Sequence, residues 1–368
     1  MIPLKPIFLW KYLKFKRNII PKNVGRLFYL SYEDALWDIL DKRNVKKGSI
    51  ILVPEFFCGD VENNIRKHGY KVSYYPVSKH LKTSSRQLSI AINKYHPTVL
   101  VIFHALGITN SLFENPIWLK DLSGKTILIE DCVHKIVNPQ KIKFIKKNHF
   151  IIDSLRKVIP LQGSVVYTQK NELNFTEPTI FQSWKYATVV TFWWMIMQML
   201  WNLTHFTRKT DLSNWFSIKA NQVMKIGYDL IGDSILPARG FFVFNFLQQF
   251  IDFKKIEQIK MKQIEFYEET LSNLPKNIFQ KVPYKNSDKG KMIAYPLVLP
   301  LKTAYKTLEK IRKSGLLLNF ELDDSHWSKK QKIIYLPCPP AGRFVKNLAT
   351  TMISTTTIFS ATQFFYCF

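Results

Sequence analysis

Cysteine is scarce. The 368-residue chain has four, Cys58, Cys132, Cys338 and Cys367, and none stands in the close pairs that build a zinc site. Two lie in apolar, strand-like contexts and read as reduced, buried thiols of a cytosolic protein. Acidic residues are also few, 27 against 53 Lys and Arg, for a formal net charge of +26. Such a charge points first to nucleic acid or an anionic membrane, but the basic residues are mostly lysine and scattered. No nucleic-acid motif, basic helix or aromatic-basic platform accompanies them, so no nucleic-acid partner is expected. The stretch Met1 to Ile20 has no uninterrupted apolar segment followed by small residues, which argues against a cleaved signal peptide and for a cytoplasmic protein. No internal repeat is present.

What the chain does have is length and apolar content enough for one large domain and a smaller one. From Gly48 to Val166, short apolar runs alternate with amphipathic stretches. The runs are Ser49 to Val53, Lys71 to Tyr75, Thr98 to Phe103, Thr126 to Ile129, Phe150 to Asp153 and Ser164 to Tyr167. Runs of this length between helical segments predict a mostly parallel sheet covered on both faces. Such sheets bind ligands at the carboxyl ends of their strands, where Pro54 to Phe57, His104, Asp131 and Ser154 to Lys157 fall.

Further along, Trp184 to Leu203 is dense in Trp, Met and Val, interrupted by Thr188, Thr191, Gln198 and Asn202. It predicts a helix buried in a dimer interface, with peripheral membrane contact through 184–203 as the second reading, and no membrane span. An amphipathic helix is expected from Phe250 to Leu274. After it come a strand at Met292 to Leu299, a helix at Ala304 to Ser314, and strands at Leu316 to Phe320 and Ile333 to Leu336. This tail predicts a smaller α+β domain. The expected division is an arm at 1–29, a large α/β domain at 30–245, the small domain at 246–340 and an atypical Thr- and Ser-rich tail at 341–368.

Two segments carry chemistry. Ile127-Leu-Ile-Glu-Asp131-Cys-Val-His134 is an apolar run ending in a carboxylate, with an imidazole three residues on. Phe150-Ile-Ile-Asp-Ser154-Leu-Arg-Lys157 is a second run ending in a hydroxyl and two cations. An acid on one strand end and an amine on a neighbouring one suit pyridoxal phosphate. Its aldehyde needs a lysine to form a Schiff base, and its pyridine nitrogen needs a buried acid to stay protonated. Taken singly, Asp131 reads as a helix cap, His134 as a satisfied core or surface histidine and Lys157 as a surface charge. The combination is what points to the cofactor.

The chain resembles the DegT/DnrJ-type sugar aminotransferases, which have the fold-type I (aspartate aminotransferase) architecture of pyridoxal-phosphate-dependent transferases. The likeness rests on Ser31-Tyr-Glu-Asp-Ala35-Leu36, Val53-Pro-Glu-Phe-Phe-Cys58, Phe103-His-Ala-Leu-Gly107, Glu130-Asp-Cys-Val-His134, and Ser154-Leu-Arg-Lys157 leading to Gly163-Ser-Val-Val166. More loosely it includes a linking helix at Ile259 to Leu274, Ser325-His-Trp327 and Tyr335-Leu-Pro337. The resemblance implies that Asp131 pairs with the pyridine nitrogen, His134 lies beside the phenolic oxygen, Ser154 contacts the phosphate and Lys157 forms the imine. Cys58 aligns with the residue that stacks on the ring, a role Phe56 or Phe57 takes after a one-residue shift. Where the family has a Gly-Thr-Ser-like phosphate turn, this chain has Tyr32-Glu33-Asp34, and two carboxylates near a dianion are unfavourable unless they point away.

The function so implied is transfer of an amino group, from glutamate, to a nucleotide-linked keto sugar for a surface polysaccharide, by a homodimer. Phe241 to Phe250 is a further interface candidate. A rival is a catalytically silent fold relative that binds a partner or a membrane surface. A sugar dehydratase of the same fold is disfavoured, because those relatives carry histidine where this chain has Lys157.

Overall fold

The computed structural model describes residues 12–157, 159, 161–172, 180–206, 210–232, 237–272, 279–313 and 320–337. Its centre is a seven-stranded sheet. The strands are β1 (Val24–Tyr29), β2 (Ile50–Pro54), β3 (Lys71–Tyr75), β4 (Val99–Phe103), β5 (Ile127–Cys132), β6 (His149–Asp153) and β7 (Ser164–Gln169), in the spatial order β1-β7-β6-β5-β4-β2-β3. Pairs from β3 through β6 are parallel; β7 joins β6 and β1 antiparallel.

Helices cover the sheet because its strands are apolar on both sides. On one face Ile51, Val53, Val99, Val101, Phe103, Ile129, Phe150 and Ile152 pack under α1 (Tyr32–Lys42) and α2 (Gly59–Lys67). The alternate residues Leu52, Leu100, Ile102 and Leu128 pack on the other face with Trp118 and α3 (Ser85–Tyr95). This two-residue alternation sorts the site chemistry. Asp131 and Ser154 share the face of α1 and α2, whereas Glu130 and Cys132 belong to the opposite one.

The six strands read from the sequence are present, with ends shifted by at most three residues. β1 is additional. It lies at the sheet edge and contains Gly25 and Arg26, so neither a clean alternation nor a continuous apolar run marks it. α1 begins where Ser31 caps it, its Oγ accepting from the Asp34 N–H at 3.0 Å.

Beyond the sheet, α4 (Ile180–Phe206) and α5 (Thr210–Gly232) pack on each other, with Leu200, Trp201 and Ala220 between them. Among the described residues no helix is long and apolar enough to cross a membrane. α6 (Phe242–Gln248) leads to α7 (Phe253–Thr270), which starts at the Asp252 cap, three residues later than the sequence reading places it. β8 (Gln280–Lys281), β9 (Ala294–Pro300), α8 (Leu301–Lys313) and β10 (Gln331–Pro337) follow, the strands forming a second, antiparallel sheet in the order β10-β9-β8. Of the expected strand Leu316 to Phe320, only Phe320 is described, bridging to Ile334. The tail at 341–368 and Cys338 and Cys367 lie outside the described residues.

Candidate functional site

The predicted residues come from adjacent strand ends. Asp131 is 2% exposed at the end of β5, and its Oδ1 accepts from the Val133 N–H at 3.0 Å. Burial pushes its carboxyl up to about 7, with Glu33 adding to the rise and Lys157 opposing it. Lys157 lies in a tight turn after β6, its N–H bonded to the Ser154 carbonyl at 3.2 Å. Residues three apart eclipse in such a turn, so the chain sets Ser154 and Lys157 on one side. The Lys157 charge is felt at both Asp131 and His134. The three residues therefore share one electrostatic neighbourhood, although β5, its loop and the turn after β6 supply them separately.

His134 is 2% exposed, and two contacts fix its tautomer. Nδ1 accepts from the Leu106 N–H at 3.4 Å, which leaves the proton on Nε2, 3.1 Å from Glu321 Oε1. Burial lowers its pKa, Glu321 opposing, so the ring is neutral at pH 7. The donor at Leu106 is held by a strained turn in which Leu106 has φ +56° and Gly107 φ +87°. A Cβ on Gly107 would lie 2.6 Å from the His134 and Lys291 carbonyl oxygens, so only glycine fits there.

The aromatic positions divide. Phe57 is buried edge-on to Phe103 at 6.2 Å, and Phe103 in turn meets His134 at 4.9 Å. Phe56 packs on Trp327 at 5.1 Å. Cys58 caps α2 beside Glu33 and Asp60, and burial pushes its thiol up to about 12, so it is a packing group and not a nucleophile.

The turn at the start of α1 has two different acids. Asp34 is used by the fold: Ser31 Oγ donates to its Oδ2 at 2.6 Å and the Ala238 N–H to its Oδ1 at 2.9 Å. Glu33 instead sits in the site, raising Asp131, Cys58 and Tyr32; its own burial raises it, with Arg156, its backbone amide and Ser31 opposing. The Tyr32 phenol approaches Asp131 without reaching hydrogen-bond geometry. Tyr32, Ser154 and Ser164 each bury a hydroxyl that has no hydrogen-bond partner among the described residues. Buried hydroxyls are nearly always paired, so these mark a place built to hold something polar.

Sequence reasoning missed Glu321 and undervalued Tyr32 and Arg156. No local pattern marks Glu321, which reaches His134 from 187 positions away. Tyr32 and Arg156 adjoin residues already singled out, and strand-end position was the available signal.

No protein-family model and no curated protein matches the chain in sequence. Solved structures do match in shape. Spr1654 of Streptococcus pneumoniae, described as a sugar aminotransferase and solved in its PMP form, superposes with a TM-score of 0.60 at 12% identity, over 97% of this chain and 99% of that one. Helicobacter pylori PseC, an aminotransferase of pseudoaminic acid biosynthesis, gives 0.55 at 13% identity over 90% and 86%. The sugar aminotransferase CalS13 of Micromonospora echinospora gives 0.53 at 10% over 89% and 87%. The chain thus has the fold-type I architecture of pyridoxal-phosphate-dependent transferases, a mostly parallel central sheet flanked by helices.

Proposed function

We propose that the protein is a pyridoxal-phosphate-dependent aminotransferase acting on a nucleotide-linked keto sugar. The observation that carries this reading is the convergence of Asp131, His134 and Lys157 on one electrostatic neighbourhood at the carboxyl ends of β5 and β6. Asp131, raised by burial, is short of positive charge, as a residue meant for a protonated ring nitrogen would be. Ser154 Oγ, buried and unpaired, suits a phosphate oxygen. The residues therefore fit the cofactor at its ring. At its phosphate they offer Ser154 and Arg156 against Glu33.

When bound, the cofactor supplies an aldehyde that condenses with amines and a ring that accepts electron density from the adjacent carbon. Asp131 keeps its proton partner in place through charge. Neutral His134, clamped between Leu106 and Glu321, would offer the cofactor a fixed, uncharged imidazole. Lys157 provides the amine and moves a proton at the reacting carbon. Phe57 and Cys58 would help hold the ring.

A sugar substrate is supported by the descriptions of Spr1654 and CalS13 as sugar aminotransferases. Glutamate as donor, a role in surface polysaccharide and a cytoplasmic location complete the proposal. So does the division into an arm, a large domain at 30–245 and a small one at 246–340, which meet in contacts such as the Ile293 N–H to the Leu106 carbonyl, the Ile136 N–H to the Lys291 carbonyl and His134 to Glu321. The homodimer is supported by an uncovered stripe on α4, where Phe192, Met195 and Met199 are each about half exposed at helical spacing. Absorbance spectra of the purified protein with added pyridoxal phosphate test the reading. Wild type develops an imine band that Lys157→Ala lacks; a protein that stays colourless supports the silent relative.

A further inference from the structure

Behind the sheet, on the face opposite Asp131, Glu130 is buried and clasped by two histidines. His104 Nε2 lies 2.7 Å from Glu130 Oε1, and His149 Nε2 3.2 Å from Oε2. The three ligand-type atoms of His104, Glu130 and Cys132 are near enough to share a metal ion. Their tautomers argue otherwise. The Asn110 N–H donates to His104 Nδ1 at 2.9 Å and the Ile145 N–H to His149 Nδ1 at 3.3 Å, so both Nε2 atoms carry the proton, that of His104 bonded to Glu130 and that of His149 within ion-pair distance of it but outside hydrogen-bond geometry. Coordination at either would need an imidazolate. The cluster is a satisfied anion, drawn well down in pKa by its donors despite burial.

In front of it opens a cavity of about 310 Å³, within the size range of small-molecule sites. Its wall combines Phe113, Val137, Ile142 and Ile151 with Lys135, Lys141, Lys143 and Lys291. Lys135 lies 3.6 Å from Glu130 and Lys141 3.5 Å from Glu257. Lys143 and Lys291 have no carboxylate at ion-pair distance among the described residues, and the four lysines of the lining face two carboxylates, Glu130 and Glu257, an excess of two cations. We propose that this cavity binds a small dianion of the phosphate-ester class through Lys143 and Lys291, its apolar body lying on Val137, Ile142 and Ile151. Crowding supports it: burial first and Lys135 next push the Lys291 ammonium down in pKa, with Lys141 adding to them and Asp288 and Glu257 opposing, and an anion beside the lysines relieves their repulsion. The parallel-sheet crossover explains the opening. Between β5 and β6 the chain has only a single short turn of helix, Pro139–Lys141, and no long helix to fill this face.

The test is calorimetric titration of the full chain with phenyl phosphate and with inorganic phosphate. Phenyl phosphate binds about tenfold tighter, because its ring is buried. Lys143→Gln/Lys291→Gln weakens it about tenfold or more, with the thermal midpoint unchanged. Lys46→Gln/Lys71→Gln, which removes two cations elsewhere, and Ser154→Ala in the cofactor site leave it unaltered. Equal affinity for the two probes, equal loss in both lysine pairs, or loss in Ser154→Ala overturns the proposal.

Discussion

His134 Nε2 stands 3.1 Å from Glu321 Oε1, joining the loop after β5 to the segment that enters the second sheet. The pair holds a neutral imidazole in one tautomer, with Leu106 fixing the other nitrogen. Glu321→Ala leaves a buried N–H without its acceptor, at a cost of about 1–3 kcal/mol. The expected result is a lower thermal midpoint and weaker binding of pyridoxal phosphate, with Glu321→Gln, which keeps an acceptor oxygen, losing less of both. Unfolding curves and cofactor titrations on the two variants check it.

In the proposed cofactor site, Glu33 would oppose the phosphate. It is buried beside Arg156, Cys58 and Asp131 and carries the same sign as the dianion. Glu33→Gln is expected to bind pyridoxal phosphate more tightly than wild type, by about tenfold. Equilibrium titration followed by absorbance gives the sign.

Three buried acids set a pH dependence. Burial raises Asp34 to about 8, and Asp131 and Asp153 to about 7, from the ordinary 3.8 of an exposed aspartate. Between those limits the native chain holds protons that the unfolded chain has released, so these groups contribute full stability below the unfolded value and lose it as pH rises through the folded ones. Stability should therefore fall from about pH 4 towards pH 8. Asp153→Asn keeps the acceptor for the Val165 N–H and removes the charge. Its advantage over wild type in denaturant melts should grow across that window, reaching the order of a few kcal/mol at its upper end.

At Gly107 the positive φ and the backbone atoms 2.6 Å from a Cβ leave no room for a side chain. Gly107→Ala should lower stability by roughly 2–4 kcal/mol. It should also loosen the Leu106 to His134 hydrogen bond, and so lower cofactor affinity in the folded fraction. Chemical denaturation and cofactor titration measure the two effects.

The stripe on α4 separates association from membrane contact. Phe192→Glu/Met199→Glu should convert a dimer into a monomer in sedimentation velocity, because both side chains are about half exposed in the single chain. A wild-type monomer that co-sediments with anionic vesicles favours the membrane reading of 184–203.

Much of the fold was legible because parallel strands buried on both faces must be continuously apolar. Ile127 to Ile129 and Phe150 to Ile152 announce themselves for that reason, and the residues at their carboxyl ends become candidates by position alone. β1 escaped because an edge strand with Gly25 and Arg26 has no such requirement. The Glu130 clasp escaped for a different reason. His104 follows β4, Glu130 lies within β5 and His149 opens β6, and only the register of the three strands brings them to one face. Glu321 is harder still, since its approach to His134 depends on how the second sheet docks.

The most direct test of the account is borohydride reduction of the protein with pyridoxal phosphate, followed by peptide mapping. The account predicts one stoichiometric label, on Lys157, reduced in yield by Asp131→Ala. A label spread over surface lysines, or placed on one lysine remote from Asp131, contradicts it.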